Sequence, residues 1–224
     1  MSKFESYKKW VNEKFTEESD PVQDMGIGIE HAIKEFIDNA IKKYGQSILV
    51  NVYEQIQYCV QKGKVEFVDY LIKKLSPEPS QYLSGAVIYN QLEIVKLLVE
   101  KYKVDPNSID AIGWIMMYKR TAILKYFLEN GLDPNYQNGI PLVVASRRGK
   151  REQVELLIDY GANVTISDNI ALTKAAEVGN LETMKALIYH GAKVSDLLRR
   201  KIPGWEYSNK RVRVRQMLKK YNLI

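Results

Sequence analysis

Cysteine is nearly absent from this sequence: Cys59 is the single one among 224 residues. One thiol cannot close a disulfide within the chain, which suits a reducing compartment. Cys59 follows Tyr58 in a helical stretch and reads as a small core residue. Histidine is almost as scarce, with His31 and His190 alone and far apart. His190 falls at the end of a helix, where a cation suits the dipole, and His31 begins an amphipathic helix. So few Cys and His make no ligand set for zinc, and no metal is expected. No glycine loop able to cradle phosphates appears, since Gly26-Ile27-Gly28 is a lone pair of glycines at a helix start. Nothing suggests a Ser-His-Asp or Cys-His site. The expectation is a chain with no catalytic residues, no cofactor and no small-molecule substrate.

Long apolar runs are missing too. The segment Met1 to Lys14 carries Lys3, Glu5, Lys8, Lys9, Glu13 and Lys14 with no unbroken apolar stretch, so no secretory leader is expected. No window approaches the length of uncharged sequence that a membrane span needs. The expected protein is soluble and intracellular, cytoplasmic, with no membrane contact.

What is present is an ordinary globular mixture, 46% hydrophobic and 27% charged, with a net charge of +6. The charge is lopsided. From Lys193 onward there are ten Lys or Arg against Asp196 and Glu206, so everything before sums to −2. Basicity is a property of the C-terminal segment and hardly describes the rest.

A period of 30 runs through the second half: Gly131, Gly161 and Gly191 recur at that interval, as do Gly149 and Gly179. A fixed period marks a stacked supersecondary unit. In the unit Asn169 to Val194, Ala171, Leu172, Ala175 and Ala176 give a short helix with a small, flat face. Gly179 ends it, being free to take the left-handed conformation. Leu181, Met184, Leu187 and Ile188 supply a second helix, closed by Gly191. The preceding unit repeats this. Pro141 sits at a helix start, Leu142, Val144 and Ala145 form the apolar face, and Gly149 terminates it. Val154, Leu156, Leu157 and Ile158 then precede Gly161-Ala162-Asn163-Val164.

These residues resemble the ankyrin repeat family, whose unit has a Thr-Pro-Leu-His helix start, paired alanines, a glycine turn, a Val-x-x-Leu-Leu helix and a Gly-Ala-Asp-Val-Asn hairpin. The likeness is close for Ile140 to Val164 and Ile170 to Val194. It is looser for Ala86 to Asn107 and for Ala122 to Asn135, and a degenerate first unit is suggested by Lys62 to Ile72. The style resembles the arrays of large DNA viruses. Two departures stand out. The Thr and His that tie neighbouring units in the family are Ile140 and Val143 in one unit, Ile170 and Thr173 in the next. Lys119 stands where a turn glycine belongs, so irregular local geometry is expected there.

The expected fold is all-α, an ankyrin-type helix-turn-helix solenoid with helical caps at both ends. Its divisions are 1–46, an N-terminal helical cap; 47–195, about five repeats, the first three degenerate; and 196–224, a basic C-terminal capping helix. In the first cap, Ser2 and Glu5 have capping-box spacing, and Phe4, Tyr7, Val11 and Phe15 share a helical face with Trp10 nearby. After Asp20-Pro21, a second run carries Ile29, Ile33, Phe36, Ile37, Ala40 and Tyr44, ended by Gly45. In the last, Val214, Met217, Leu218 and Tyr221 recur at helical spacing, although Val212-Arg213-Val214-Arg215 alternates like a strand.

The resemblance implies a non-catalytic module that binds a protein partner, as an inhibitor or adaptor acting on a host factor. It also implies a concave groove lined by first helices. The residues before each turn would face it: Gln61 and Lys62, Ile88 and Tyr89, Met117 and Tyr118, Arg147 and Arg148, Glu177 and Val178. Tyr and Arg are common interface anchors, and Met adapts to irregular surfaces. Ile88 and Met117 are equally well read as packing between helices. Loop tips add Asp105, Asp133, Tyr136, Asn138 and Asp168. The alternative is a contact for nucleic acid or an acidic surface through the basic tail, Lys210, Arg211, Arg213, Arg215, Lys219 and Lys220; the bland reading of that run is a solvated capping face. The tail shows no clear match to a ligase-recruiting box.

Overall fold

A computed structural model describes Lys34, Asp38, residues 52–202 and residues 209–224. The two amphipathic runs expected as an N-terminal cap lie outside the described residues, apart from Lys34 and Asp38. The chain separates into two compact units, Met1–Pro77 and Glu78–Ile224.

In the first unit, α1 (Val52–Gln61) and α2 (Val65–Leu75) pack together as an antiparallel pair. Ile56, Cys59, Val60, Phe67, Val68, Leu71 and Ile72 form the seam, so Cys59 is a buried core thiol. Lys34 and Asp38, both helical, are tied to α2. Tyr70 Oη donates to the Lys34 carbonyl at 2.8 Å, and Lys74 pairs with Asp38 at 2.6 Å. The hydrogen bond from Lys74 holds the Asp38 carboxyl below its usual range.

The second unit is built from helix pairs. A 3-10 turn (Pro79–Tyr82) leads into α3 (Leu83–Ile88), followed by α4 (Leu92–Lys96), α5 (Ile109–Tyr118) and α6 (Thr121–Glu129). Then come α7 (Tyr136–Arg148), α8 (Arg151–Asp159), α9 (Ile166–Val178), α10 (Leu181–Tyr189), α11 (Asp196–Lys201) and α12 (Asn209–Lys220). Among the described residues there is no strand, and Val212-Arg213-Val214-Arg215 is helical. First helices α3, α5, α7 and α9 pack in series, and so do second helices α4, α6, α8 and α10. The small buried Ala86, Ala145 and Ala175 on the first helices permit this close approach. Larger chains fill the space behind: Ile94, Leu98, Ile123, Leu124, Phe127, Val154, Leu157, Met184 and Leu187 have no exposure. Each such aliphatic side chain contributes roughly 1.5–3 kcal/mol by leaving water.

One backbone hydrogen bond recurs at every joint between the two helices of a pair. The amides of Lys64, Gln91, Arg120, Lys150 and Asn180 donate to the carbonyls of Cys59, Ala86, Ile115, Ala145 and Ala175, at 2.8–3.1 Å. The residue before each donor is left-handed: Gly63, Asn90, Lys119, Gly149 and Gly179. This is the closing bond of a Schellman turn. Lys119, at φ 54 and ψ 48, therefore adopts the glycine conformation and the turn is regular. The irregularity expected there does not occur, because the joint's hydrogen bonds and packing outweigh a local cost of about 1–2 kcal/mol for a side chain in that region.

Irregularity arises in two other places. Between α4 and the next loop the chain carries one residue more than its neighbours, and the excess is absorbed by a π-helical turn, Leu97–Lys101. The Val104 amide accordingly reaches back six residues to Leu98, whereas the Leu132, Ala162 and Ala192 amides reach back five to Phe127, Leu157 and Leu187. The second place is the opening of α7 and α9. Gln137, Asn138 and Gly139, then Ser167, Asp168 and Asn169, form left-handed turns, so the right-handed helices begin near Ile140 and Ile170. Pro141 thus keeps its place in a first helical turn, inside an element that starts earlier, at Tyr136.

The end of the array is covered by α11 and α12, which both pack against α9. Val214, Met217 and Leu218 are the buried face of α12. No helix among the described residues is long and apolar enough to cross a membrane.

Candidate interaction surface

Four consecutive first helices end in the same burial pattern: two buried residues, then two facing outward. The buried pairs are Ala86-Val87, Ile115-Met116, Ala145-Ser146 and Ala175-Ala176. The outward pairs are Ile88-Tyr89, Met117-Tyr118, Arg147-Arg148 and Glu177-Val178. Because these helices pack side by side, the outward pairs form one row. Tyr89 and Tyr118 are each 44% exposed and Met117 is 39% exposed, whereas Ile88 is half-buried. Met117 is therefore a surface residue and Ile88 divides its area between packing and solvent.

Tyr118 is held in place by two neighbours. The Trp114 ring stacks on it at 5.8 Å, and the Arg120 guanidinium lies 5.5 Å from its centroid. Arg120 is itself fixed, with Nε donating to the Val87 carbonyl at 3.3 Å and Nη2 to the Ile88 carbonyl. Those carbonyls end α3, where the Val87 carbonyl also accepts the Asn90 amide at 3.1 Å, so one arginine links two repeats and braces an exposed tyrosine. Neither Trp114 nor Arg120 is among the residues the sequence singles out. The available signal is the four-residue spacing of Trp114 and Tyr118, which stacks two rings on one helical face.

The cations and acids of the row differ in their occupation. Arg147 and Arg148 are exposed in the last turn of α7, and neither pairs with a carboxylate among the described residues. Glu177 is engaged by Lys174 at 3.0 Å and by Lys201 of α11. Burial raises the Glu177 pKa, but the hydrogen bonds from Lys201 and Lys174 outweigh it and hold the carboxyl below its ordinary value. Lys119 is matched by Glu152 at 3.0 Å, and Arg151 by Glu155 and Glu182 at 2.9 and 3.3 Å.

The acids expected at loop tips build the loops. Asp105 and Asp133 are exposed, yet each accepts the amide of the residue two ahead, Asn107 and Asn135, at 2.8 Å. Asn163 does the same for Thr165 at 2.9 Å. These Asx turns present Asn107 and Asn135 to the following loop. Asn107 donates to the Gly131 carbonyl and accepts from the Asp133 amide, both at 3.1 Å. Asn135 donates to the Gly161 carbonyl at 3.1 Å and accepts from the Asn163 amide at 2.8 Å. Tyr136 is half-buried, with its hydroxyl accepting from Gln137 at 3.3 Å, while Asn138 and Asp168 are exposed in the left-handed turns. One family-like tie survives in altered form: Thr173, buried, shares a 3.0 Å hydrogen bond with the Ser195 hydroxyl, which caps α11 through the Leu198 amide at 3.1 Å.

On α12, Lys210, Arg211, Arg213, Lys219 and Lys220 are exposed and Arg215 is half-buried. Among the described residues no group of three or more His, Cys, Asp or Glu is placed to hold a metal ion.

Comparison with known proteins agrees with this architecture. The family described as ankyrin repeats (3 copies) matches residues 112–197, from α5 into α11. A protein of Fowlpox virus (strain NVSL) named as an ankyrin repeat protein is 32% identical over 107 residues, covering 44% of this chain and 31% of its own length. The chain thus spans less than a third of that relative. Ankyrin repeats generally mediate protein–protein interaction and are typically non-catalytic. The helix pairs, their regular joints and these matches identify residues 112–197 as ankyrin repeats, in an array resembling that of the viral relative.

Proposed function

We propose that this chain is a non-catalytic module that holds a protein partner along the row Tyr89, Met117, Tyr118, Arg147 and Arg148. It acts by occupying or bridging that partner, as an inhibitor or adaptor inside a cell. The observation that carries the reading is the alignment of exposed aromatic, Met and Arg side chains on three adjacent helices that are otherwise well packed. Such residues supply most of the energy at protein interfaces. The bracing of Tyr118 by Trp114 and Arg120 adds to it, since a side chain already ordered loses less entropy on binding.

The test is affinity capture with the wild-type chain and with Tyr118→Ala combined with Arg148→Glu. The double variant should keep its helical circular dichroism and lose the nuclease-resistant protein partner. A folded double variant that captures the same partner equally well would remove the row from consideration.

A second reading rests on the exposed cations of α12. It makes that helix a contact for nucleic acid, with the partner-binding row idle. Six phosphate contacts would give log affinity a slope of about −5 against log salt. A flat salt response, or undiminished binding by Arg213→Glu with Lys219→Glu and Lys220→Glu, would eliminate it.

A further inference from the structure

We infer that the segment received by the row is acidic: a stretch of polypeptide carrying Asp or Glu beside an aromatic or aliphatic anchor. This rests on the proposed protein-binding row and assigns its partner a chemistry. Charge occupation around the row points to it. Among the described residues, the acids on and around the row already have cations. Glu177 is shared by Lys174 and Lys201, Glu152 is taken by Lys119, and Glu182 lies between Arg151 and Lys185. The row itself therefore presents no unengaged carboxylate to attract a basic segment. Two of its cations are unmatched, Arg147 and Arg148, and they are consecutive. The other guanidinium here, Arg120, is spent on the α3 carbonyls and the Tyr118 ring.

Adjacent arginines at a helix C-terminus are favoured by the helix dipole. That effect accounts for a cation there, and it leaves both guanidinium forks open to a carboxylate, which they accept in two-pronged geometry. The surroundings sharpen the selectivity. Outside the C-terminal segment the chain sums to −2, so the pair is a local positive feature on a mildly acidic body. A basic segment laid on the row would place like charges together.

The neighbouring helix supplies the apolar half of the site. Met117 and Tyr118, backed by Trp114, lie on α5, which packs directly against α7. Packed helices sit about 10 Å apart. An extended segment covers that distance in about three residues at its rise of ~3.3 Å per residue. The acid is therefore placed three residues from the anchor in an extended ligand. In a helical ligand, rising ~1.5 Å per residue, the same distance takes about seven.

The experiment pans a random dodecapeptide library on the full chain and measures the affinity of the winners. Winners should carry Asp or Glu at one of these two spacings from an aromatic or aliphatic residue. Arg147→Glu with Arg148→Glu should weaken them about tenfold or more. The same peptides with Lys in place of the acid should bind the charge-reversed chain better than the wild type, a rescue that mere unfolding cannot produce. Winners that are basic or neutral, lost with Tyr118→Ala but indifferent to the arginine changes, would overturn the acidic assignment and leave the row standing. Acidic winners lost only when Arg213, Lys219 and Lys220 are reversed would overturn it in favour of α12. Winners indifferent to both Tyr118 and the arginines would sink the row itself.

Discussion

Lys119 offers a direct measurement of what the repeat joint demands. Its backbone is left-handed, yet its amide neighbour makes the same 3.0 Å hydrogen bond as the glycine joints. Replacing it by glycine removes a steric cost of about 1–2 kcal/mol. Glycine's greater freedom in the unfolded chain takes back about 0.5–1 kcal/mol. The change also deletes the ion pair with Glu152, but both side chains are 57% exposed, so that loss is well under about 1 kcal/mol. Lys119→Ala deletes the same pair and keeps the strain, so the comparison of Gly with Ala isolates the backbone. Gly should be the more stable by about 0.5–1 kcal/mol. With a urea slope of about 2 kcal/mol per molar, the midpoint followed by circular dichroism should rise by about 0.3–0.5 M. At an ordinary helical position Ala would instead win by about 1 kcal/mol. Equal midpoints, or Ala ahead of Gly, would refute the claim that the joint requires a left-handed residue.

Other substitutions probe the interior. Ser146 is fully buried with no hydrogen-bond partner for its hydroxyl, and the equivalent residue 30 positions on is Ala176. Ser146→Ala should raise stability by about 1 kcal/mol, and thermal melting that shows a clear loss would contradict the orphaned hydroxyl. Thr173→Val keeps the shape but breaks the bond to Ser195, costing about 1 kcal/mol. Hydrogen exchange should show weaker protection in α11 and none lost in α5, because repeats couple mainly to their neighbours. Glu177 has a depressed pKa, so its ion pairs contribute fully above the ordinary value of 4.5 and are lost as pH falls through the lowered one. Glu177→Gln should therefore flatten the acid side of the stability profile, and an unchanged slope below 4.5 would show that Lys174 and Lys201 contribute nothing.

Much of this architecture is legible in the sequence because the joint bond and the packing repeat with it. Gly149 and Gly179 mark helix ends, and the alanine pairs mark the faces that touch. Lys119 misleads because glycine is favoured at that conformation without being obligatory. The π-turn at Leu97–Lys101 is hidden for a different reason: one added residue breaks the period, and the period is the signal being read. The left-handed turn at Ser167, Asp168 and Asn169 carries no glycine to announce it. For the row, the positions of Tyr118 and Arg148 follow from repeat register. Which charges are occupied does not, since Glu177 meets Lys201 only after α11 folds back onto α9. Trp114 and Arg120 go unnoticed because their importance lies in what they do to Tyr118.

The recurring joint also bears on how such a chain changes in length. Every pair from α3 to α10 is closed by the same backbone bond and packs on the next, first helix on first helix and second on second. Between two identical seams a whole unit of 30 residues can be duplicated or excised, and the flanking surfaces still match. A partial unit would instead leave an apolar flank without its complement. The extra residue behind α4 is taken up inside a single π-helical turn, whose Glu100 still accepts from Tyr126 of α6 at 2.9 Å.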